Sequence, residues 1–515
     1  MPYLVRRAVA AYPDTIAVDD GLKRRTLIEL VSRAERLANC LDGIGIPPRA
    51  TVGILSGNRA EYPEVDLGIA LGRRVRMALN VRLHFDDFRF ALEDSEASAL
   101  IYSAEFEEVA ARLESELGLT RICLDGGAGT GALDYEELLA RASATATVRA
   151  GGAEDPGWIS YTSGTTGRPK GVVLSHRALR EVAFNLLLEL GPVRPGEQIV
   201  LTQPLSHGAG YFVLPQLISG GGIYIARRFD PEELQAVSRR PEVTVLKIVP
   251  AMLPAILEQR GDFGFATIVY GASPMPTPLM ESALDRLGPV LVQIYGQSEA
   301  PVTLTCLRKE DHASPGTQRA SAGRAWKSVA LEVRDPEGAV VRAGVIGEVT
   351  VRGSHTMSGY LHLPKESSEV LREGWIWTRD MGRVDDRGFV YLVGRKDEMI
   401  NSGGFKISPR EVEQVLLRHP AVIECVAIGV EDRQWGSAVN AVIRLRKGAS
   451  PSSEEIIQFA KPRLGFRCPK RVVVAPEIPK TAYGKVDRAA ILSLLGTNQA
   501  SLGNLALGAS EGNTG

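Results

Sequence analysis

The stretch Tyr161-Thr162-Ser163-Gly164-Thr165-Thr166-Gly167-Arg168-Pro169-Lys170-Gly171 packs hydroxyls, backbone donors freed by glycine and two cations into one loop. These are the groups that bind phosphate. A Walker A loop would carry Gly-Lys-Ser/Thr and run into a helix. This one has Pro169 between its two cations and is flanked by two strand-like runs, GWISYT (157 to 162) and GVVLS (171 to 175). A P-loop NTPase is therefore disfavoured. An ordinary glycine-rich hairpin loop would suit the glycines, but it leaves the density of Ser and Thr without a purpose.

Outward from this loop, short apolar runs alternate with helical patterns. Upstream lie a helical pattern over 26 to 46 and the runs ATVGILS (50 to 56) and SALIYS (98 to 103). Downstream come RALREVAFNLLLEL, then QIVLTQ (198 to 203), GGIYIA (221 to 226) and TVLKIV (244 to 249). This is an α/β pattern, and covered sheets are its economical architecture. From about 340 to 394 short strands and turns take over, punctuated by Gly344, Gly347, Gly353, Gly374 and Gly388. Ser408-Pro409-Arg410-Glu411 is a capping box with Pro at the first helical position, so a helix starts there. The remainder reads helix-strand-strand-helix-strand, enough for a small α+β domain.

The expected organisation is thus a large N-terminal domain of covered β-sheets with a small β-rich subdomain (1–394), a hinge (395–397) and a small, mobile α+β C-terminal domain (398–493). Residues 494–515 are too poor in core-forming side chains to offset their ordering entropy, and a disordered tail is expected. The length of 515 residues agrees with several domains at about 150 residues each.

Sixty basic and 61 acidic residues leave a net charge of -1, which gives no whole-chain bias toward nucleic acid or an anionic membrane. A small-molecule partner fits better. The five cysteines sit singly, with no C-x-x-C pair, against a disulfide framework or a zinc site. No stretch approaches the length of a membrane span, and no signal peptide opens the chain, so a cytoplasmic protein is expected.

Four further segments follow the glycine-rich loop in order: Tyr295-Gly296-Gln297-Ser298-Glu299, Trp377-Thr378-Arg379-Asp380, Gly394-Arg395-Lys396-Asp397 and Pro479-Lys480-Thr481-Ala482-Tyr483-Gly484-Lys485. Together with YTSGTTGRPKG they resemble the signatures of the adenylate-forming superfamily, which includes acyl-CoA synthetases, peptide-synthetase adenylation domains and beetle luciferases. The resemblance extends to about residue 493. It implies ATP and Mg²⁺ as cofactors and a two-step reaction. A carboxylate attacks the α-phosphate of ATP and releases pyrophosphate; a thiol, most simply that of CoA, then displaces AMP. In-line attack between two anions needs charge neutralisation and alignment more than acid-base chemistry.

On this resemblance Thr162, Ser163, Gly164, Thr165, Thr166, Gly167 and Lys170 bind phosphate, and Glu299 is the Mg²⁺ ligand, a hard carboxylate suited to that ion. Gly271, Ala272 and Ser273 line the adenine and acyl pocket beside Tyr295, Gly296, Gln297 and Ser298. Asp380 and Arg395 contact the ribose, although a lone charge is more often a surface ion-pair partner. Asp397 matches the hinge. Lys485, Thr165 and His207 are the catalytic candidates: Lys485 reaches the reacting carboxylate and α-phosphate, and His207 gates the acyl pocket. Gly403 and Gly404 match the loop that faces the pantetheine arm during thioester formation, with a plain β-turn as the alternative. His176 is read as structural.

Some positions depart from the pattern. Some aryl and cinnamate-type ligases carry lysine where this chain has Asn401, so no catalytic role carries over there. Ser298 replaces the usual threonine, and Ala78 a usual proline. The segment from Leu71 to Asn80 carries Arg73, Arg74 and Arg76 where the family is more apolar. Three arginines either meet an anionic partner or solvate a sheet edge, and the second is commoner. PLSHGAGYFVLP lacks the carboxylate that holds an α-amino group, so a fatty or aryl acid is favoured. Activation for a carrier protein, or of another oxyanion such as nitrite, stays open; a nucleotide-binding protein without catalysis is disfavoured by Glu299, Asp380, Arg395 and Lys485 together.

Overall fold

The two runs around the glycine-rich loop form an antiparallel hairpin, Pro156–Thr162 with Lys170–Ser175, in which Thr162 stands opposite Lys170. The structure, a computed structural model, describes residues 2–126, 131–143, 151–162, 169–481 and 486–496. Ser163, Gly164, Thr165, Thr166 and Gly167 lie outside the described residues, as does Lys485.

From the hairpin an eight-stranded sheet extends through Val75–Ala78, Thr51–Leu55, Ala97–Tyr102 and Thr120–Cys123, all parallel. Parallel strands covered on both faces read as unbroken apolar runs, and Thr51–Leu55 is buried at every position. A nine-stranded sheet carries Gly222–Ile225, Gln198–Leu201, Val243–Ile248, Thr267–Tyr270 and Leu291–Tyr295 as parallel neighbours. The helices Leu27–Gly43, Glu61–Leu71 and His176–Leu190 share one core with both sheets, to which Leu37, Val65 and Val182 belong together with Ile54 and Ile199. Thr26 caps the first of these in a capping box with Glu29, which fixes where that helical pattern starts.

The expected solvation of a sheet edge by the arginine cluster is not what the fold shows. Val75–Ala78 is an interior strand, between Pro156–Thr162 and Thr51–Leu55, so Arg76 on it cannot solvate an edge. Arg74 and Arg76 are fully buried. Arg74 Nη2 meets Asp42 Oδ1 at 2.7 Å, and Arg73 Nη2 meets Asp155 Oδ2 at 2.9 Å.

The expected β-rich stretch holds a five-stranded sheet including Ala330–Arg334, Gly347–Arg352, Trp375–Val384 and Val390–Arg395, interrupted by the helix Pro364–Val370. Beyond it lie a small hairpin, Ile400–Ser402 with Phe405–Ile407, and a three-stranded sheet of Val422–Asp432, Gly436–Leu445 and Arg471–Val474 against the helices Pro409–Leu416 and Ser453–Leu464. Ser408 caps Pro409–Leu416 through Glu411 N, 3.2 Å away. The buried residues of the clusters in this part begin at Ile400. A last helix occupies 488–496 and buries Leu495, so the ordered chain runs past 493; residues 497–515 lie outside the described residues.

Two buried histidines give the fold a pH dependence. Burial lowers both His312 and His355 to about 4. His312 sits between Tyr270 Oη, 2.8 Å from Nε2, and the Arg308 carbonyl, 2.7 Å from Nδ1. With folded pKa values below the unfolded one, the unfolded chain binds more protons between about pH 4 and 6.5. Stability is therefore full at neutral pH and falls as pH drops through that window, by roughly 2 kcal/mol per histidine between pH 7 and 5. Denaturant midpoints across this range should decline accordingly; a flat profile would contradict two neutral buried imidazoles.

Candidate active site

The strand Leu291–Tyr295 ends in a turn that brings its aromatic and amide side chains onto the long strand Trp375–Val384. Tyr295 Oη donates to Asp380 Oδ2, and Gln297 Nε2 donates to the same oxygen at 2.6 Å and to the Thr378 carbonyl at 2.9 Å. From the neighbouring strand, Arg395 Nη1 reaches Asp380 Oδ1 at 3.1 Å and the Thr378 carbonyl at 3.2 Å. The strand register that pairs Asp380 with Arg395 makes this contact. Burial and the Asp380 carboxylate push the Tyr295 phenol well above its usual range, so it remains a donor. Four residues quoted from three separate motifs thus form one hydrogen-bonded group, and the ion-pair role of Asp380 and Arg395 proves to be part of it.

Glu299 adjoins this group. Its Oε1 accepts from Tyr360 Oη at 2.7 Å, and its carbonyl accepts from Met357 N at 2.8 Å. Lys170 Nζ lies 5.1 Å from the centre of the Tyr360 ring, which ties the hairpin of the glycine-rich loop to Glu299. Gly296 is required by close approach: a Cβ there would stand 2.3 Å from Val302 N. Ser298 is half-buried in the same turn. Gly271 is buried and Ala272 and Ser273 are exposed; they follow Thr267–Tyr270, whose Tyr270 pairs with Gln293. Three residues around this group hold a left-handed backbone without being glycine: Ala272 (φ 69), Val302 (φ 46) and Arg379 (φ 59). Such conformations cost of order 1–3 kcal/mol each and cluster at functional sites.

His207 is exposed, its Nδ1 2.7 Å from Ser206 Oγ. The loop that carries it is held from below by Arg76, whose Nη2 donates to the Leu205 carbonyl at 2.9 Å. The guanidinium lies 4.0 Å from the centre of the Trp158 ring and its Nε 3.3 Å from Asp66 Oδ1. Trp158 leans against Tyr211 at 4.9 Å between centroids. A Cβ on Gly208 would sit 3.9 Å from Val302 Cγ1, so this loop borders the Glu299 turn. His176 is half-buried, and burial holds its imidazole below the usual range.

Gly403 and Gly404 stand apart. Among the described residues no hydrogen bond joins them to the Asp380 group. Gly403 turns with φ +57 against Trp435, and a Cβ there would come within 2.8 Å of the indole. Its N donates to the Trp435 carbonyl at 2.8 Å. Lys470 Nζ lies 5.5 Å from the Trp435 ring. Beside this turn Phe405 and Phe466 pair at 4.9 Å between centroids while both stay 60% exposed. Sequence reasoning missed Trp435, Phe466, Tyr360 and Trp158 and gave Phe405 no role of its own. Phe405 follows the quoted glycines directly, but the others lie far from them in sequence, and no local pattern announces the contacts.

Residues 5–361 match the family model of the AMP-binding enzyme, and residues 411–485 that of the AMP-binding enzyme C-terminal domain. The chain is 34% identical over 494 residues to a medium/long-chain-fatty-acid–CoA ligase of Mycobacterium tuberculosis, across 92% of this chain and 86% of that protein. It is also 34% identical over 490 residues to a feruloyl-CoA synthase of an Amycolatopsis species, across 94% of this chain and 96% of that one. The solved structure of o-succinylbenzoate CoA synthetase from Bacillus subtilis, in complex with its acyl-adenylate intermediate, superposes with a TM-score of 0.85 at 28% identity, covering 94% of this chain and 96% of that one. Matched along nearly its whole length by sequence and by fold, the chain belongs to the AMP-binding enzyme family, among the acyl-CoA synthetases of the adenylate-forming superfamily.

Proposed function

We propose that the protein is an AMP-forming acid–CoA ligase that activates a fatty or aryl carboxylic acid as its acyl adenylate and passes the acyl group to the thiol of CoA. The observation that carries the reading is the single group formed by Tyr295, Gln297, Asp380 and Arg395, with Glu299 and Lys170 at its border. A buried carboxylate that already gathers three donors suits two ribose hydroxyls, which bring further donors. Lys170 and the hydroxyls of Thr162, Ser163, Thr165 and Thr166 answer the phosphate charge. Glu299 fits Mg²⁺ as one carboxylate, because this ion takes one or two protein oxygens together with phosphate oxygens and water; bound there, Mg²⁺ supplies charge neutralisation at the phosphates.

The residues then divide between two half-reactions. In the first, an acid oxygen bonds to the α-phosphorus and the bond to pyrophosphate breaks. Lys485 places its ammonium against both reacting anions. In the second, the CoA sulfur bonds to the acyl carbon, AMP leaves, and the thiol proton passes to solvent. Residues 395–397 serve as the hinge on which the domain 398–493 turns to present Gly403 and Gly404. The acid would lie against Trp158 and Tyr211 beside Gly208, with His207 at the mouth of its site. The exposed rings of Trp435, Phe405 and Phe466, with Lys470 nearby, suit the adenine and phosphates of CoA.

Pyrophosphate release measured over fatty, benzoic, cinnamic and amino acids, with and without CoA, tests the reading. Release with one class of non-amino acid and a CoA thioester as product is the expected result. Release with amino acids alone, or transfer to a phosphopantetheinylated carrier protein but never to CoA, would overturn the assignment. Within this scheme Trp435→Ala should raise the KM for CoA about tenfold, one stacked base being worth roughly 1–3 kcal/mol. Acid-dependent ATP–pyrophosphate exchange should stay unchanged. Equal loss in both assays would move the CoA nucleotide elsewhere.

A further inference from the structure

Lys247 is the buried cation for which the scheme above has no use. It lies one residue from the end of the strand Val243–Ile248 and is 2% exposed. Its ammonium has three protons to donate. Nζ gives one to the Ile248 carbonyl at 3.0 Å and lies 6.0 Å from the centre of the Phe212 ring. Among the described residues no carboxylate pairs with it. Burial without a counter-charge lowers it to about 7.

Its place in the sheet is what gives this lysine a direction. In register Lys247 stands between Leu201 and Val269. The first of these strands leads into the loop that carries His207, Gly208, Gly210 and Phe212, and the second into Gly271-Ala272-Ser273. In parallel α/β sheets ligands bind beyond the carboxyl ends of the strands. Lys247 therefore lies at the base of both segments, on the side of Phe212. Neighbouring positions on the same face, Leu201 and Val269, belong to the apolar core. An uncompensated ammonium in such a layer is costly, and supplying its counter-charge from a ligand removes that cost.

We infer that Lys247 anchors the far end of the substrate, and that the acid activated here is a dicarboxylic acid whose second carboxylate meets this ammonium while the first reacts. The inference rests on the acid-ligase reading and adds the substrate class to it. No chemistry occurs at Lys247; it selects by charge, and a neutral tail leaves its buried donors unpaired.

The test compares aliphatic and aromatic dicarboxylic acids with their half methyl esters, in wild type, Lys247→Met and Lys247→Arg. The expected wild-type preference in kcat/KM for the diacid over its half ester is roughly 10- to 100-fold, the worth of a hydrogen bond to a charged group. It should fall to unity or invert in Lys247→Met and persist in Lys247→Arg. Half esters used as well as diacids by wild type would overturn the inference without any variant. An unchanged preference in Lys247→Met would do the same. Should no acid release pyrophosphate, the ligase reading fails by itself, and thermal melting then decides the present point. Stabilisation of wild type but not Lys247→Met by diacids, and of neither by half esters, upholds it; equal stabilisation refutes it.

Discussion

Lys485→Ala is expected to lower acid-dependent pyrophosphate release by roughly 10²- to 10³-fold, the effect of removing one preorganised charge-stabilising donor. The same variant should convert a supplied acyl adenylate to its CoA thioester at nearly the wild-type rate. The reason for the split is the geometry of the two steps. In adenylation two anions approach and charge builds on the α-phosphate, where a compact ammonium on a flexible stem has most to offer. In thioester formation the phosphate is already a leaving group, and on the proposed scheme the C-terminal domain would present Gly403 and Gly404 instead. Single-turnover measurement of each half-reaction checks this. Equal loss in both would deny the lysine its step-specific role.

Asp380→Ala should be as damaging and should differ in kind. The carboxylate accepts from Tyr295, Gln297 and Arg395 at once, and its loss leaves a half-buried guanidinium without its partner. Because the adenylate keeps the ribose of ATP, both half-reactions should fall, each by about 10²-fold for two charge-assisted hydrogen bonds of roughly 1.5 kcal/mol each. Asp380→Asn, which keeps one acceptor oxygen, should retain part of the activity. Pyrophosphate release and transfer from supplied adenylate, run in parallel, read the outcome. A variant impaired in adenylation alone would remove Asp380 from the ribose.

The contrast between these two residues also shows what could be read from the sequence. Strands such as Thr51–Leu55 were legible because buried parallel strands are continuous apolar runs, and Ser408 announced its helix because capping is local chemistry. Tyr295, Gln297, Asp380 and Arg395 were each legible as members of short motifs. Their convergence depends on the register between Trp375–Val384 and Val390–Arg395, which is a tertiary fact. The arginine cluster was misjudged for the same reason: charge suggested an edge, whereas strand order puts Val75–Ala78 in the interior, with its Arg76 against Trp158 and Asp66. Lys247 sits in an apolar run that reads as an ordinary buried strand, and its isolation appears only once its neighbours are in place. The left-handed backbone at Ala272, Val302 and Arg379 has no residue-type signal, since none of them is glycine.

The central claim, that the acid is activated as an acyl adenylate, is tested most directly by following oxygen. An acid identified in the panel, labelled with ¹⁸O at both carboxyl oxygens, is incubated with the protein, ATP, Mg²⁺ and CoA, and the products are weighed by mass spectrometry. Attack of the carboxylate on the α-phosphorus and departure of AMP in the second step must leave one ¹⁸O in AMP and the other in the thioester carbonyl, with pyrophosphate unlabelled. Label in inorganic phosphate together with ADP, or AMP without label, would contradict the account.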